Sequence, residues 1–242
     1  DTEKNLQNKK RREQKRRQED RNHLIYYFHQ VDDPYSHLCA QTLPLIANTY
    51  DVEIKTFLVP SPTKEAAPEP DLLKSHSLED AKIIAPHYGF TFPSVNRLPN
   101  DKIIQMAQWA FLCMENQSFE DIIKIGDLLW KNDQSSISDL FSEPLNEEIV
   151  DTTLSRNSKL RRNFGHYLGG VFVYEGECYL GIDRLSLLEK RLINLGAKKD
   201  EKAEVIQRRS SDVRAIKNLG LEVDILWSAR SPYSYLAMKQ LR

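Results

Sequence analysis

Residues 24–38 read Leu24-Ile25-Tyr26-Tyr27-Phe28-His29-Gln30-Val31-Asp32-Asp33-Pro34-Tyr35-Ser36-His37-Leu38, and this stretch decides the fold. Leu24 to Phe28 is a short apolar run rich in aromatic side chains, the pattern of a buried strand. Asp33 followed by Pro34 opens a helix. The Asp carboxylate accepts from free N–H groups of the first turn, and proline suits the first helical position. The helix is expected to run on through Leu38, Leu43 and Ile46. A second strand is predicted over 52–59, with Ile54, Thr56 and Leu58 on one face. Strand, helix-length crossover and strand imply a parallel pair with a right-handed connection.

Outward from this unit, residues 60–70 are rich in proline and read as a loop. Residues 71–165 then read as largely helical. Leu78, Ala81, Ile84 and Ala85 form one stripe at helical spacing, and Ile103, Met106, Ala107 and Ala110 a second. Ile122, Ile125, Leu128 and Leu129 form a third. Such stripes are core faces before they are anything else. Strand signals return at Val171-Phe172-Val173-Tyr174. They turn through Glu175-Gly176-Glu177 into Cys178-Tyr179-Leu180, a β-hairpin. A closing helix over 183–195 is stopped by Gly196. The expected domain, 23–196, is α/β: β-α-β, a helical insertion at about 61–165, then β-β-α.

The bulk properties narrow the function classes. A formal net charge of −1 over 242 residues provides no global drive toward nucleic acid or an anionic membrane. No window holds the roughly 18 to 20 apolar residues needed to span a bilayer, and no apolar leader stands near the start. Residue 1 is Asp, so a trimmed leader and a periplasmic setting stay open beside the cytoplasmic one. Cys39, Cys113 and Cys178 are far apart, form no C-x-x-C, and sit among apolar neighbours. Burial as free thiols is expected of all three, which suits a reducing, cytoplasmic compartment. No clustered metal ligands are visible. Residues 1–22 carry Lys9-Lys10-Arg11-Arg12 and Lys15-Arg16-Arg17, partly offset by Glu13, Glu19 and Asp20. With no aromatic residues interleaved, they read as a solvated, helix-prone extension rather than a nucleic-acid contact.

After a charged linker, 197–222, the opening pattern recurs. Val223-Asp224-Ile225-Leu226-Trp227 reads as a strand. Ser231-Pro232-Tyr233-Ser234-Tyr235-Leu236 repeats Asp33-Pro34-Tyr35-Ser36-His37-Leu38 at an offset of 198 positions (232 − 34). Lys10-Arg11 fall opposite Arg208-Arg209. A tandem repeat of domain length is expected, with 223–242 the start of a second copy.

A strand followed by x-P-Y-S at a helix start resembles the 2-hydroxychromene-2-carboxylate isomerases and kappa-class glutathione transferases, relatives of the DsbA disulfide oxidoreductases. Asp80-Ala81 through Tyr88-Gly89-Phe90-Thr91-Phe92-Pro93, Leu128-Leu129-Trp130 and Gly181-Ile182-Asp183-Arg184-Leu185 resemble further segments of the same group, in the same order. The resemblance implies a DsbA-type thioredoxin-like core interrupted by a helical domain, with the active site at the N-terminus of the first helix. It implies glutathione as cofactor and a small hydrophobic or aromatic substrate against the inserted helices. It leaves a homodimer, or the second repeat of the same chain, as partner. In that chemistry reduced glutathione adds to an unsaturated substrate, permits bond rotation, and leaves. A helix start offers free N–H groups and positive dipole potential for the thiolate. The residues carried over are Asp33 and Ser231 as catalytic, and Pro34, Tyr35, Gly170, Val171, Asp183 and Arg184 as glutathione-binding.

Two positions depart from that pattern. The residue before proline is Asp33 in the complete copy and Ser231 in the second. A carboxylate about 4 Å from a thiolate opposes it by ~4 kcal/mol at an effective dielectric near 20. Asp33 is then a general base or simply a helix cap. Where the resemblance implies a cis-proline before the third strand, Gly170 stands. Glycine does not enforce a cis bond. Asp183 and Arg184 are read as ligand-holding, with helix capping and a surface ion pair as the alternative. His37 and His166 are expected to face solvent. A glutathione-dependent isomerase or transferase thus stands beside a non-catalytic binding module. Disulfide exchange is disfavoured, because Asp33 and Ser36 occupy both positions where its cysteines would be.

Overall fold

The computed structural model describes residues 3–95, 97–114, 118–200, 206, 220, 222, 224–229 and 231–240. Two units separate, residues 1–209 and residues 210–242. In the first, helix α1 (Glu3–Gln18) precedes β1 (Leu24–His29). Then come α2 (Pro34–Ala40), α3 (Leu43–Thr49) and β2 (Glu53–Leu58). Helices α4 (Pro70–Ile84), α5 (Asp101–Cys113), α6 (Phe119–Trp130), α7 (Gln134–Ser138) and α8 (Glu147–Asn163) lie between β2 and β3 (Val171–Tyr174). β4 (Glu177–Leu180) and α9 (Leu185–Asn194) complete the unit.

The sheet order is β2-β1-β3-β4. β1 and β2 run parallel, with Ile25 opposite Ile54 and Phe28 opposite Phe57. β1 and β3 are antiparallel, as are β3 and β4 across the Glu175-Gly176 turn. Strand alternation sends side chains to two faces. Ile25, Tyr27, Phe172 and Tyr174 join the main core with Leu38, Leu43, Leu188 and Leu192 of the helices. Phe28, Val171 and Val173 form a second cluster with Val59, which Leu160 and Phe164 partly cover. The insertion's stripes join the main core through Leu78, Ala81, Ile103, Ala107, Ala110, Ile122, Ile125 and Leu129.

Four expectations are corrected. The helix after Asp33 is two helices. Thr42 leaves the ladder between α2 and α3, where its hydroxyl donates to the Cys39 carbonyl at 2.7 Å and Pro44 removes a donor. Only Cys39 of the three free thiols is fully buried; Cys113 and Cys178 are half-buried. Residues 224–228 form no strand, Val223 lying outside the described residues. A lone apolar run has no ladder to pair its backbone, and Leu226 and Trp227 are exposed. Helix α10 (Pro232–Gln240) does form there.

The fourth correction is α1, which is more than a solvated extension. Lys9 pairs with Glu177 at 3.0 Å, Arg21 pairs with Glu175 at 3.2 Å, and Arg12 donates to the Glu175 carbonyl, so basic side chains dock on the hairpin. Glu13 accepts from Arg16 and Arg17 at 2.8 Å, and the Arg16 bond holds its pKa at about 2 against the opposing effect of burial. Among the described residues no helix is long and apolar enough to cross a membrane.

Candidate functional site

The start of α2 is built around Asp33. Its extended backbone (φ −107°, ψ 116°) places the carboxylate over the first turn, with Pro34 buried as the first helical residue. Oδ1 accepts from Tyr35 N at 3.3 Å, and Oδ2 accepts from Ser36 N at 2.9 Å and from Ser36 Oγ at 2.7 Å. Burial pushes the Asp33 pKa up to about 6, against the pull of these hydrogen bonds and with a contribution from the neighbouring Asp32. Desolvation outweighs three donors because a carboxylate stripped of water loses more than neutral N–H and O–H groups return.

The segment before β3 closes over this turn. A Cβ on Gly169 would stand 2.5 Å from Ser36 Oγ and 2.6 Å from Gln30 Cβ. A Cβ on Gly170 would meet Ser36 N at 3.4 Å. Gly170 has φ +61°, a region open to glycine, and the described residues contain no cis peptide bond. Its carbonyl accepts from Gly181 N at 2.9 Å and from the Cys39 thiol at 3.7 Å, which brings the 181–184 turn to the same place.

Three polar links tie this turn to the inserted helices. Tyr35 Oη donates to Asp80 of α4 at 2.7 Å. Asp32, buried, pairs with Lys74 of α4 at 3.2 Å and accepts from Ser61 at 2.8 Å and Gln30 at 3.0 Å. His37 Nε2 donates to Asp127 of α6 at 3.1 Å. His37 is fully buried rather than solvent-facing, because Gly126 leaves room for its ring against α6. His166 is half-buried, and burial followed by the Arg161 charge lowers its pKa. His29, at the end of β1, stacks on Phe111 of α5 at 5.7 Å, and burial pushes its pKa down to about 3.

The structure therefore gathers Asp33, Pro34, Tyr35 and Gly170. Val171 follows Gly170, but its side chain packs into the Phe28 cluster on the opposite face, so only its backbone is near. Asp183 and Arg184 are exposed, 3.8 Å apart, and neither caps a helix through its side chain. Ser231 belongs to the second unit and accepts from Ser234 N at 3.3 Å, the bond that Asp33 receives from Ser36. Apart from the short Gln30–Asp32 bond, the partners Asp32, Lys74, Asp80 and Asp127 were not legible, since the pairings Asp32–Ser61, Asp32–Lys74, Tyr35–Asp80 and His37–Asp127 span 29 or more residues (61 − 32 the shortest) and leave no local spacing.

The donor set does not fit a glutathione thiolate at this turn. The N–H groups of Tyr35 and Ser36 and the Ser36 hydroxyl already serve Asp33, and a thiolate there would face a carboxylate. Thiol exchange has no sulfur at either motif position. The nearby Cys39 thiol is fully buried, its pKa raised by burial and then by the charges of Asp33 and Asp183.

A β-α-β unit, a helical insertion and a β-β-α unit on one sheet, with the start of α2 facing the pre-β3 segment, form a DsbA-type thioredoxin-like fold. The chain is similar to a 2-hydroxychromene-2-carboxylate isomerase structure, with TM-score 0.51 and 16% identity over 72% of this chain and 96% of that one. It is similar also to a probable DsbA oxidoreductase from Streptomyces coelicolor, with TM-score 0.51 and 10% identity over 76% and 94%. At these identities the likeness is one of fold. No protein-family model and no curated protein matches the chain.

Proposed function

We propose that the protein is of the glutathione-dependent isomerase or transferase type, built as a tandem in which the domain of residues 23–196 is the degenerate copy. That domain holds its ligand or partner without thiol chemistry, and the repeat opening at Ser231 carries the reaction on a small hydrophobic or aromatic substrate. One observation carries the reading: the Asp33 carboxylate takes the helix-start donors that a thiolate would need. The equivalent cap at Ser231 brings a neutral hydroxyl instead, which leaves room for an anion.

Titration of reduced glutathione, followed by thiolate absorbance from pH 6 to 10, tests this on the full chain and its variants. Asp33→Ser is expected to lower the pKa of the bound thiol relative to the unsubstituted chain, by removing the opposing charge. The reading fails if the unsubstituted chain lowers the glutathione pKa and Ser231→Ala leaves that effect intact.

A further inference from the structure

Arg161, in the last turn of α8, is 2% exposed. Its Nη2 donates to the Pro60 carbonyl at 3.3 Å, while Nε and Nη1 are buried without an acceptor. Among the described residues no carboxylate pairs with it. Burial, and after it the charge of Arg162, lower its pKa to about 10. A buried guanidinium with spare N–H groups is unfavourable unless something accepts from them.

Holding β2 does not explain the charge. Asn157, one turn earlier on α8, already donates to the Leu58 carbonyl at 2.9 Å. An apolar side chain of similar length would fill the space without the desolvation penalty. Next along the chain comes the 165–170 segment. His166 N donates to the Arg161 carbonyl at 3.4 Å, and the His166 ring is close enough to feel the Arg161 charge. The segment is bounded by Gly165 (φ +82°, with open space around its Cβ position) and Gly170 (φ +61°). Its far end, Gly169-Gly170, is the part that packs on Ser36.

We propose that Arg161 is the counter-charge for an anionic ligand group, a carboxylate or a phosphate, that reaches its unpartnered Nε and Nη1. The anion accepts from Nε or Nη1, and a buried cation without a partner becomes a charge-assisted pair. This site is separate from the Asp33 turn and does not rest on the reading of that turn as degenerate.

The test is the thermal midpoint of the full chain titrated with sodium phosphate and with sodium benzoate, each against sodium chloride at matched ionic strength. One or both anions are expected to raise the midpoint, and Arg161→Met to abolish the rise. A response to benzoate alone identifies a carboxylate site, and a response to phosphate alone a phosphate site. Should the variant fold poorly, the Arg161 Nε–H resonance of the unsubstituted protein reports directly and should shift with the same anion. The proposal is overturned if neither anion moves the midpoint or that resonance beyond the chloride control. It is equally overturned if Arg161→Met keeps the full response. Glutathione titration reads the Asp33 turn separately, so the two readings fail independently.

Discussion

Replacing Asp33 by Asn isolates the energetics of the α2 turn. The carboxyl pKa rises from an ordinary 3.8 to about 6, and at 1.36 kcal/mol per pH unit this corresponds to about 3 kcal/mol. Because the folded pKa lies above the unfolded one, the folded state binds more protons between those values. The stability belonging to this group is therefore fully present below about pH 4. It is lost as pH rises through about 6, and is flat beyond about pH 7. Asn caps a helix about as well as Asp and can still accept from Ser36 N, but it does not titrate. The stability of the unsubstituted chain minus that of Asp33→Asn should thus fall by about 3 kcal/mol between pH 4 and pH 7.5. Taking the difference cancels the other carboxylates, such as Glu13, whose lowered pKa values act with opposite sign. Urea denaturation followed by tryptophan fluorescence, with Trp109 and Trp130 in the same unit, measures both proteins at each pH. A difference that is constant with pH would refute the desolvation account. A difference that grows with pH would show instead that the three donors outweigh burial.

Two further substitutions probe the packing around this turn. Gly126→Ala would put a Cβ 2.8 Å from His37 Cε1 and closer still to Nδ1, so a loss of about 2 kcal/mol in urea denaturation is expected; an unchanged midpoint would mean the ring can move away. Gly170→Pro needs a negative φ where the backbone holds +61°, so the protein should lose well over 1 kcal/mol. A stable Gly170→Pro variant with a cis bond before residue 170 would contradict the described backbone.

Much of the fold was legible locally. The apolar run at 24–28, the Asp33-Pro34 helix start, the three helical stripes of the insertion and the 171–180 hairpin each follow from short-range rules of period, capping and turn chemistry. The same rules failed where an element needs partners. The run at 224–227 has strand composition but no ladder, and composition cannot supply one. They failed also at Thr42, where a side-chain hydroxyl and a following proline divide one expected helix into two.

By itself, the sequence determined that a carboxylate, and neither a thiol nor a neutral hydroxyl, stands directly before Pro34, since identity at position 33 is a local fact. Tertiary structure alone decided what that carboxylate does. Desolvation depends on the 169–170 backbone folding over it, and its donors depend on Ser36 pointing back rather than outward. The same holds for His37, which a helix start would leave in water and Gly126 brings inside, and for Arg161, buried without a partner. Burial is a property of what packs against a residue. That neighbour is usually far away in the chain, so no reading of local spacing contains it.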